Sequence, residues 1–320
     1  MAVEFDQQKL LAALSAGREY DYLPFSLHIF NSVNSTNLTL WELLKQGAGV
    51  GTVVIATQQT SGKGQWGRQW VSPTGGLYLS VAIAPNLAAN ASYQLTLATA
   101  WGIADQLRQC GICVGIKWPN DLVLEGRKLG GILTETKVNQ GKITQAVIGV
   151  GVNWSNPVPE TGINLQSWLE SRGAGGQGGR GQAAGEAGEQ GSKGDKVDKG
   201  EIFTPMPNAQ CPMPNAQCPM PNAQCPMPNL ETLTCKVLLG IESGMACLLE
   251  AGVSVLLSRY VELLVNMGDR VYVNDIAGNV VGVTPQGNLR VSLETDCITD
   301  IKTPEISLEP GKISLGYRKS

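Results

Sequence analysis

The chain has 320 residues, enough for two ordinary domains with cores of their own. Its formal net charge is −3, from 24 Lys and Arg against 27 Asp and Glu, so no overall basic character points to nucleic acid. With His28 as the single histidine, His-based zinc sites are all but excluded, and a Ser-His-Asp mechanism would hang on one residue. Hydrophobic residues make up 42%, yet no run of about 18 or more apolar residues predicts a membrane span. The start MAVEFDQQKL lacks the basic and apolar regions of a signal peptide, so a cytoplasmic location with eight reduced cysteines is expected.

Residues 26–170 read as alternating strands and helices. His28 lies in the apolar run SLHIF and reads as a packed strand residue rather than a base. NSVNSTNLTLWELL, 31–44, holds Thr39 and Glu42 at the spacing of a capping box. If Thr39 caps, then Ser35, Thr36 and Asn37 precede the helix and are free to bind a small polar group; if Ser35 caps, they are ordinary turn residues. GTVVIATQQ (51–59) and GLYLSVAIA (76–84) are apolar and β-branched enough to be strands. Residues 92–110 place Leu95, Ala98, Trp101 and Ile103 at roughly helical spacing, with Ser92 as the cap. VGIKW reads as a strand, and 128–154 as a hairpin turning at Asn139-Gln140-Gly141. Cys110 and Cys113 form a C-x-x-C at a helix-to-strand junction, where buried alternation is the expected reading over redox chemistry.

The composition changes at Ser171. Residues 171–200 carry eleven glycines, with Val197 the only large apolar side chain, and predict disorder. MPNAQCP then repeats in tandem at 206–212, 213–219 and 220–226. Two prolines per repeat forbid a helix, and Cys211, Cys218 and Cys225 are evenly spaced because the peptide repeats. Residues 230–268 read as one or two amphipathic helices. From Met267 short alternating strands, broken at Asp275, Gly278 and Pro285-Gln286-Gly287, predict a small β-barrel of about fifty residues.

TSGKGQWGRQW, 60–70, is the most unusual stretch. Glycines 62, 64 and 67 let backbone N–H groups approach an anion, Lys63 and Arg68 add charge, and Trp66 and Trp70 offer stacking faces. Gly62 and Gly67 have P-loop spacing, but Arg68-Gln69 stand where Lys-Ser/Thr is needed. The dinucleotide fingerprint fails as well, with Trp154 in place of the third glycine of VIGVGVNW. In IKWPNDLVLEGRKLGGIL, Pro119 forces Trp118 out of helical geometry and Asn120-Asp121 suit a tight turn. Lys117, Asn120, Asp121 and Lys128 could instead surround a phosphate or a metal-bound phosphate, with Asp121 as acceptor or metal ligand and the lysines offsetting developing charge.

Taken in order, these segments resemble the biotin–protein ligases. The resemblance rests on Ser35-Thr36-Asn37, Gln59 with GKGQWGRQW, KWPND at 117–121, RKLGGIL at 127–133 and GVGVN at 149–153. It implies an α+β fold: a mixed-sheet biotin/lipoate ligase-like catalytic domain followed by a small SH3-like β-barrel. Residues 1–25 would be a lead-in, 26–170 with 230–265 the catalytic domain, 171–229 a disordered insertion and 266–320 the SH3-like domain. The implied reaction joins biotin to ATP as biotinyl-5'-adenylate, then transfers biotin to a lysine of a carrier domain of acetyl-CoA carboxylase. The alternatives are a lipoate–protein ligase and a non-catalytic ligand-binding relative. By position, Ser35, Thr36, Asn37 and Gln59 would hold the ureido ring, and the loop of Gly62, Lys63, Gly64, Gln65 and Arg68 would close over biotin and its adenylate. Trp70 would stack near adenine. Asn120, Asp121 and Asn153 would act around the phosphates and Mg2+, and Lys128 would contact the carboxylate and the bridging phosphate. Lys128, Asp121 and Arg68 are the expected catalytic residues.

Two departures matter. The family loop usually carries arginines where Lys63 and Gln65 stand, so a bidentate fork is lost at one position and the charge at the other. Adenylate retention is then expected to lean on Lys63, Arg68 and Trp66. About 25 residues precede the catalytic region, too few for the winged helix-turn-helix of some members, so neither nucleic acid nor membrane is an expected partner. Removing residues 172–228 is expected to leave turnover near normal.

Overall fold

The computed structural model describes residues 5–174, 229–294, 304–313 and 315. Its centre is a mixed sheet in the order β1-β2-β3-β8-β7-β6-β5. The strands are β1 (Ser26–Phe30), β2 (Thr52–Ala56), β3 (Leu77–Ile83), β5 (Gly115–Lys117), β6 (Asp121–Leu124), β7 (Arg127–Asn139) and β8 (Lys142–Val152), with β4 (Leu87–Ala88) added on β8. Only β1 and β2 run parallel; the other pairs are antiparallel.

Both faces of this sheet are covered, which is why β2 and β3 are buried along their whole length. On β2, Val53 and Ile55 enter the main core, while Val54 turns to a second, smaller core with Leu40, Ala82 and Val147. That alternation is the period-two geometry of a strand. Helix α2 (Thr36–Lys45) supplies Leu40 to the second core. The other face carries α3 (Ser92–Gln109), which packs along α5 (Leu230–Ala246). Next to them lie α1 (Gln7–Gly17) and α6 (Val253–Glu262), the latter reached through a wide turn at Cys247–Ala251.

Residues 230–251 are apolar and long enough to cross a membrane, but 78% of the 18-residue apolar window within them is buried inside this fold. The burial makes it a core helix, as amphipathic reading of the segment expects. Gln140 and Gly141 turn the β7–β8 hairpin, both with positive φ (48° and 73°), as that turn demands.

Several expectations need correcting. Ser92 is the first helical residue rather than the cap; Ala91 stands at the cap without a side-chain bond. Asn120-Asp121 is only half a turn, because Asp121 opens β6 and pairs with Gly131. No element was expected before residue 26, yet Asp6 caps α1 by accepting from Gln8 and Lys9 N–H groups. The boundary drawn at Ser171 falls inside α4 (Leu165–Ala174). Gly278 lies within a strand rather than breaking one. Cys113, exposed after α3, is disulfide-bonded, whereas Cys110, Cys235 and Cys247 are free thiols. Composition could not reveal that exception to the expected reduced state, and the two cysteines of C-x-x-C do not bond each other. Most of the predicted disordered insertion, including the MPNAQCP repeats, lies outside the described residues.

A second, antiparallel sheet has the order β12-β11-β10-β9, from β9 (Arg270–Val273), β10 (Ile276–Val283), β11 (Leu289–Leu293) and β12 (Glu305–Leu308). Its Val271, Val280 and Leu289 join the main core. Gly287 O accepts from the Trp118 indole N–H at 2.9 Å, so this sheet grips the strand that carries KWPND.

Candidate functional site

A cavity of about 360 Å³ opens over β7 and β8 and is lined by all three sequence clusters. Its neutral end is the start of α2. Ser35 occupies the cap position by backbone but makes no capping bond, so its side chain is left to the cavity. Thr36 and Asn37 are the first helical residues, and Thr39 lies a turn further in, so the capping box does not form. Thr36 N–H donates to Gln59 Oε1 at 2.9 Å, and the Thr36 hydroxyl oxygen lies 3.2 Å from the same atom. Gln59 Nε2 then donates to Ser72 Oγ at 2.8 Å, which fixes the amide's orientation. Ser35, Thr36 and Asn37 are almost fully buried.

The glycine-rich loop forms a small hairpin rather than an open nest. Lys63 pairs with Gln69, Gly64 N–H donates to Arg68 O at 2.7 Å, and Trp70 N–H donates to Gly62 O at 2.9 Å. A single helical turn at Gln65–Gly67 forms its tip, with Trp66 in left-handed geometry (φ 54°) and half exposed. The Arg68 guanidinium lies 5.6 Å from the centre of the Trp66 ring. Trp70 folds back onto β8: a Cβ at Gly151 would come within 2.5 Å of its Nε1, so only glycine admits the indole there.

The charged end comes from β5–β7. Lys128 Nζ meets Asp121 Oδ1 at 2.6 Å and sits 5.2 Å from the centre of the Trp70 ring. Lys117 is buried beside them, and that burial pulls its ammonium down to about 8. Asp121 offsets part of the effect, while Lys128 and Arg68 add to it. The Trp118–Pro119 peptide is cis. Tyr260, fully buried, donates its hydroxyl to Pro119 O at 3.0 Å. Burial holds that phenol well above its ordinary range, so it remains a donor. Asn120 Nδ2 donates to Ile132 O at 2.9 Å and ties the turn to β7.

On two of the lining residues a polar atom is buried without a partner: Trp70 Nε1, a donor packed against Gly151, and Gln65 Oε1, an acceptor.

Of the expected site residues, Gly62 and Asn153 do not line the cavity. Gly62 sits behind the loop, on the Trp70 carbonyl and Ser72. Asn153 Nδ2 donates to Lys128 O at 3.3 Å, and its Oδ1 accepts from Asn156 at 3.0 Å, so its side chain faces away. Sequence reasoning missed Gly311, Ile313 and Leu315, which reach the cavity from beyond the second sheet. They belong to no motif, although glycine before alternating apolar residues is a weak sign of a packed segment. Among the described residues, no group of three His, Cys, Asp or Glu could hold a metal ion.

Residues 29–153 match the biotin/lipoate A/B protein ligase family. The bifunctional ligase/repressor BirA of Bacillus subtilis is 37% identical over 123 residues, covering 38% of this chain and 38% of that protein. A biotin–[acetyl-CoA-carboxylase] ligase of Mycobacterium tuberculosis is 32% identical over 172 residues, covering 51% of this chain and 60% of the relative. The chain thus spans less than two thirds of the length of these curated relatives. The biotin protein ligase of Aquifex aeolicus, solved with biotin and ATP, shares the fold: TM-score 0.55 at 21% identity, covering 88% of this chain and 95% of that one.

Proposed function

We propose, on the premise that residues 29–153 are a biotin/lipoate A/B protein ligase domain, that this chain is an ATP-dependent biotin–protein ligase. The observation that carries the reading is one cavity with a neutral, hydrogen-bonding end and a cationic end. Such a cavity fits an uncharged ureido ring joined to a carboxylate that must meet a triphosphate.

In the first step a biotin carboxylate oxygen attacks the α-phosphorus of ATP, and the bond to pyrophosphate breaks. In the second, the ε-amine of a carrier lysine attacks the acyl carbon, an amide forms, AMP leaves and the amine's proton is lost. Two anions must approach each other, and fixed cations offset their repulsion; removing one such group typically costs about 10²–10³ in rate.

Lys128 would contact the carboxylate and phosphate, with Asp121 holding its ammonium. Arg68 and Lys63 would close from the loop, and Ser35, Thr36, Asn37 and Gln59 would read the ureido ring. Trp70 would support the adenine, and Asn120 the phosphates. Asn153 would act indirectly, by steadying the Lys128 backbone. Among the described residues Asp121 is the only carboxylate in the lining, so Mg2+ would enter with the triphosphate, which suits an ion usually held by one or two carboxylates plus substrate phosphates. It would offset phosphate charge. Residues 26–170 with 230–265 would form the catalytic domain and 266–320 an SH3-like domain, in a cytoplasmic protein acting on the carrier domain of acetyl-CoA carboxylase.

The test is a mass spectrum of a carrier domain incubated with the chain, biotin and MgATP. One biotin added to one lysine by the wild type, and none by Lys128→Ala, is the expected result. No added mass with biotin but addition with lipoate would transfer the reading to a lipoate ligase. Failure with both, while ligand still binds, would leave a non-catalytic binding protein.

A further inference from the structure

Glu135, on β7, belongs to none of the motifs above and does not line the cavity. Its Oε2 nevertheless accepts two bonds, from Asn37 Nδ2 at 2.9 Å and from Trp41 Nε1 at 3.1 Å. A carboxylate can only accept and an indole N–H can only donate. Asn37 must therefore turn its NH2 towards Glu135, and its Oδ1 to the opposite side.

That side is occupied by Ser80 Oγ, 2.6 Å from Asn37 Oδ1 and fully buried. Ser80 has one proton, and Asn37 Oδ1 needs it. Ser80 then has no proton left for its second neighbour, Thr36 Oγ1 at 2.8 Å, so Thr36 must turn its own hydroxyl proton to Ser80 rather than to Gln59 Oε1. The backbone makes room for this pose, since a Cβ at Gly149 would lie 2.3 Å from Asn37 Oδ1. The order of donors and acceptors along Asn37, Ser80 and Thr36 is thus set from the Glu135 end, while Gln59 is fixed separately by the Thr36 backbone N–H.

We propose that Glu135 is a positioning residue for ligand recognition: it holds the Asn37 amide in one of its two orientations and thereby decides which atoms of Asn37 and Thr36 donate and which accept at the neutral end. This rests on the biotin-ligase reading of the cavity. Without an acceptor at 135, the Asn37 amide can turn over, Ser80 loses its assigned acceptor, and the pattern offered to a ureido ring is scrambled. The cationic end is untouched.

The experiment is calorimetric titration of the full chain with biotin and, separately, with MgATP. Glu135→Met removes the acceptor at similar volume; Glu135→Gln keeps an acceptor oxygen. Glu135→Met is expected to weaken biotin about ten- to a hundredfold, the range set by one unpaired buried polar group, with MgATP affinity unchanged. Glu135→Gln is expected to restore biotin affinity to near wild type. Equal biotin affinity in Glu135→Met and wild type, or equal loss for both ligands, overturns the inference alone. Wild-type chain that binds no biotin overturns the functional reading and this inference with it. Should Glu135→Met not fold, Ser80→Ala cuts the same relay: selective weakening of biotin supports the proposal, and unchanged affinity overturns it.

Discussion

At one end of the cavity the side chains form a connected hydrogen-bonded set before any ligand arrives; at the other they are charged, and two of the cations stand exposed on a loop. Thr36, Asn37, Gln59, Ser80 and Glu135 form one connected hydrogen-bonded set. Lys63 and Arg68 are solvent-exposed on a loop, and only Lys117 among the cations is buried. The difference follows from what each end has to recognise. A neutral ring offers few strong contacts, so its recognition depends on dipoles held in place by the fold. A polyanion attracts cations over several ångströms, so its groups can stay hydrated and settle on binding.

The largest expected effect would separate the two ends. Lys128→Ala should lower kcat by about 10²–10³ and, through the lost carboxylate contact, weaken biotin by only about tenfold, measured by pyrophosphate release and by titration. A matching loss of biotin affinity would show that the ends are not independent.

Next comes the buried lysine. Because burial brings Lys117 down to about 8, the charged form is lost as pH rises through that value. MgATP affinity should fall about tenfold between pH 7 and pH 9, from titrations across that range. Lys117→Arg, which keeps its charge, should flatten the profile; a slope that survives the substitution assigns it elsewhere. The stability sign runs the other way. The folded chain sheds this proton near 8 and the unfolded chain only near 10.5, so this group raises stability as pH climbs between those values.

A smaller effect is expected at the loop tip. Gln65 Oε1 is buried without a partner, and Gln65→Arg should supply a cation there and slow release of the adenylate about three- to tenfold, followed by stopped-flow fluorescence. An unchanged off-rate would show that Lys63, Arg68 and Trp66 do not share the work with position 65. The smallest effect is expected from the glycine-rich and MPNAQCP-repeat insertion. A chain with residues 175–228 replaced by a short Gly-Ser linker, which spares α4, should keep its kcat within about twofold.

How much of this could be read beforehand depended on how local each determinant was. The β7–β8 hairpin was legible because Gln140 and Gly141 carry its turn chemistry themselves. Helix α3 was legible because its apolar spacing runs for many residues. The strand at Asp121–Leu124 was not, since Asn120-Asp121 satisfies a turn rule by itself and only pairing with β7 makes it a strand. Helix α1 was missed because what stabilises it is α5, more than two hundred residues later. The cavity residues were legible where they stand in dense motifs. Asn153 stands in such a motif but turns to Asn156, a partner outside the motif. Glu135 was missed for the opposite reason: its role exists only once Asn37, 98 positions away, is brought against it.

The burial of α5 also sets a timetable for synthesis. Helix α3 is complete at Gln109, but the helix that covers it ends at Ala246. At about 5–20 residues per second, a nascent chain would wait roughly 7–27 s between the two. Through that interval the apolar side of α3 has no α5 to cover it, and then an apolar stretch resembling a membrane span emerges from the ribosome. The yield of folded protein in a cell should therefore depend on translation speed and on chaperones that shield α3, even when the finished chain is stable.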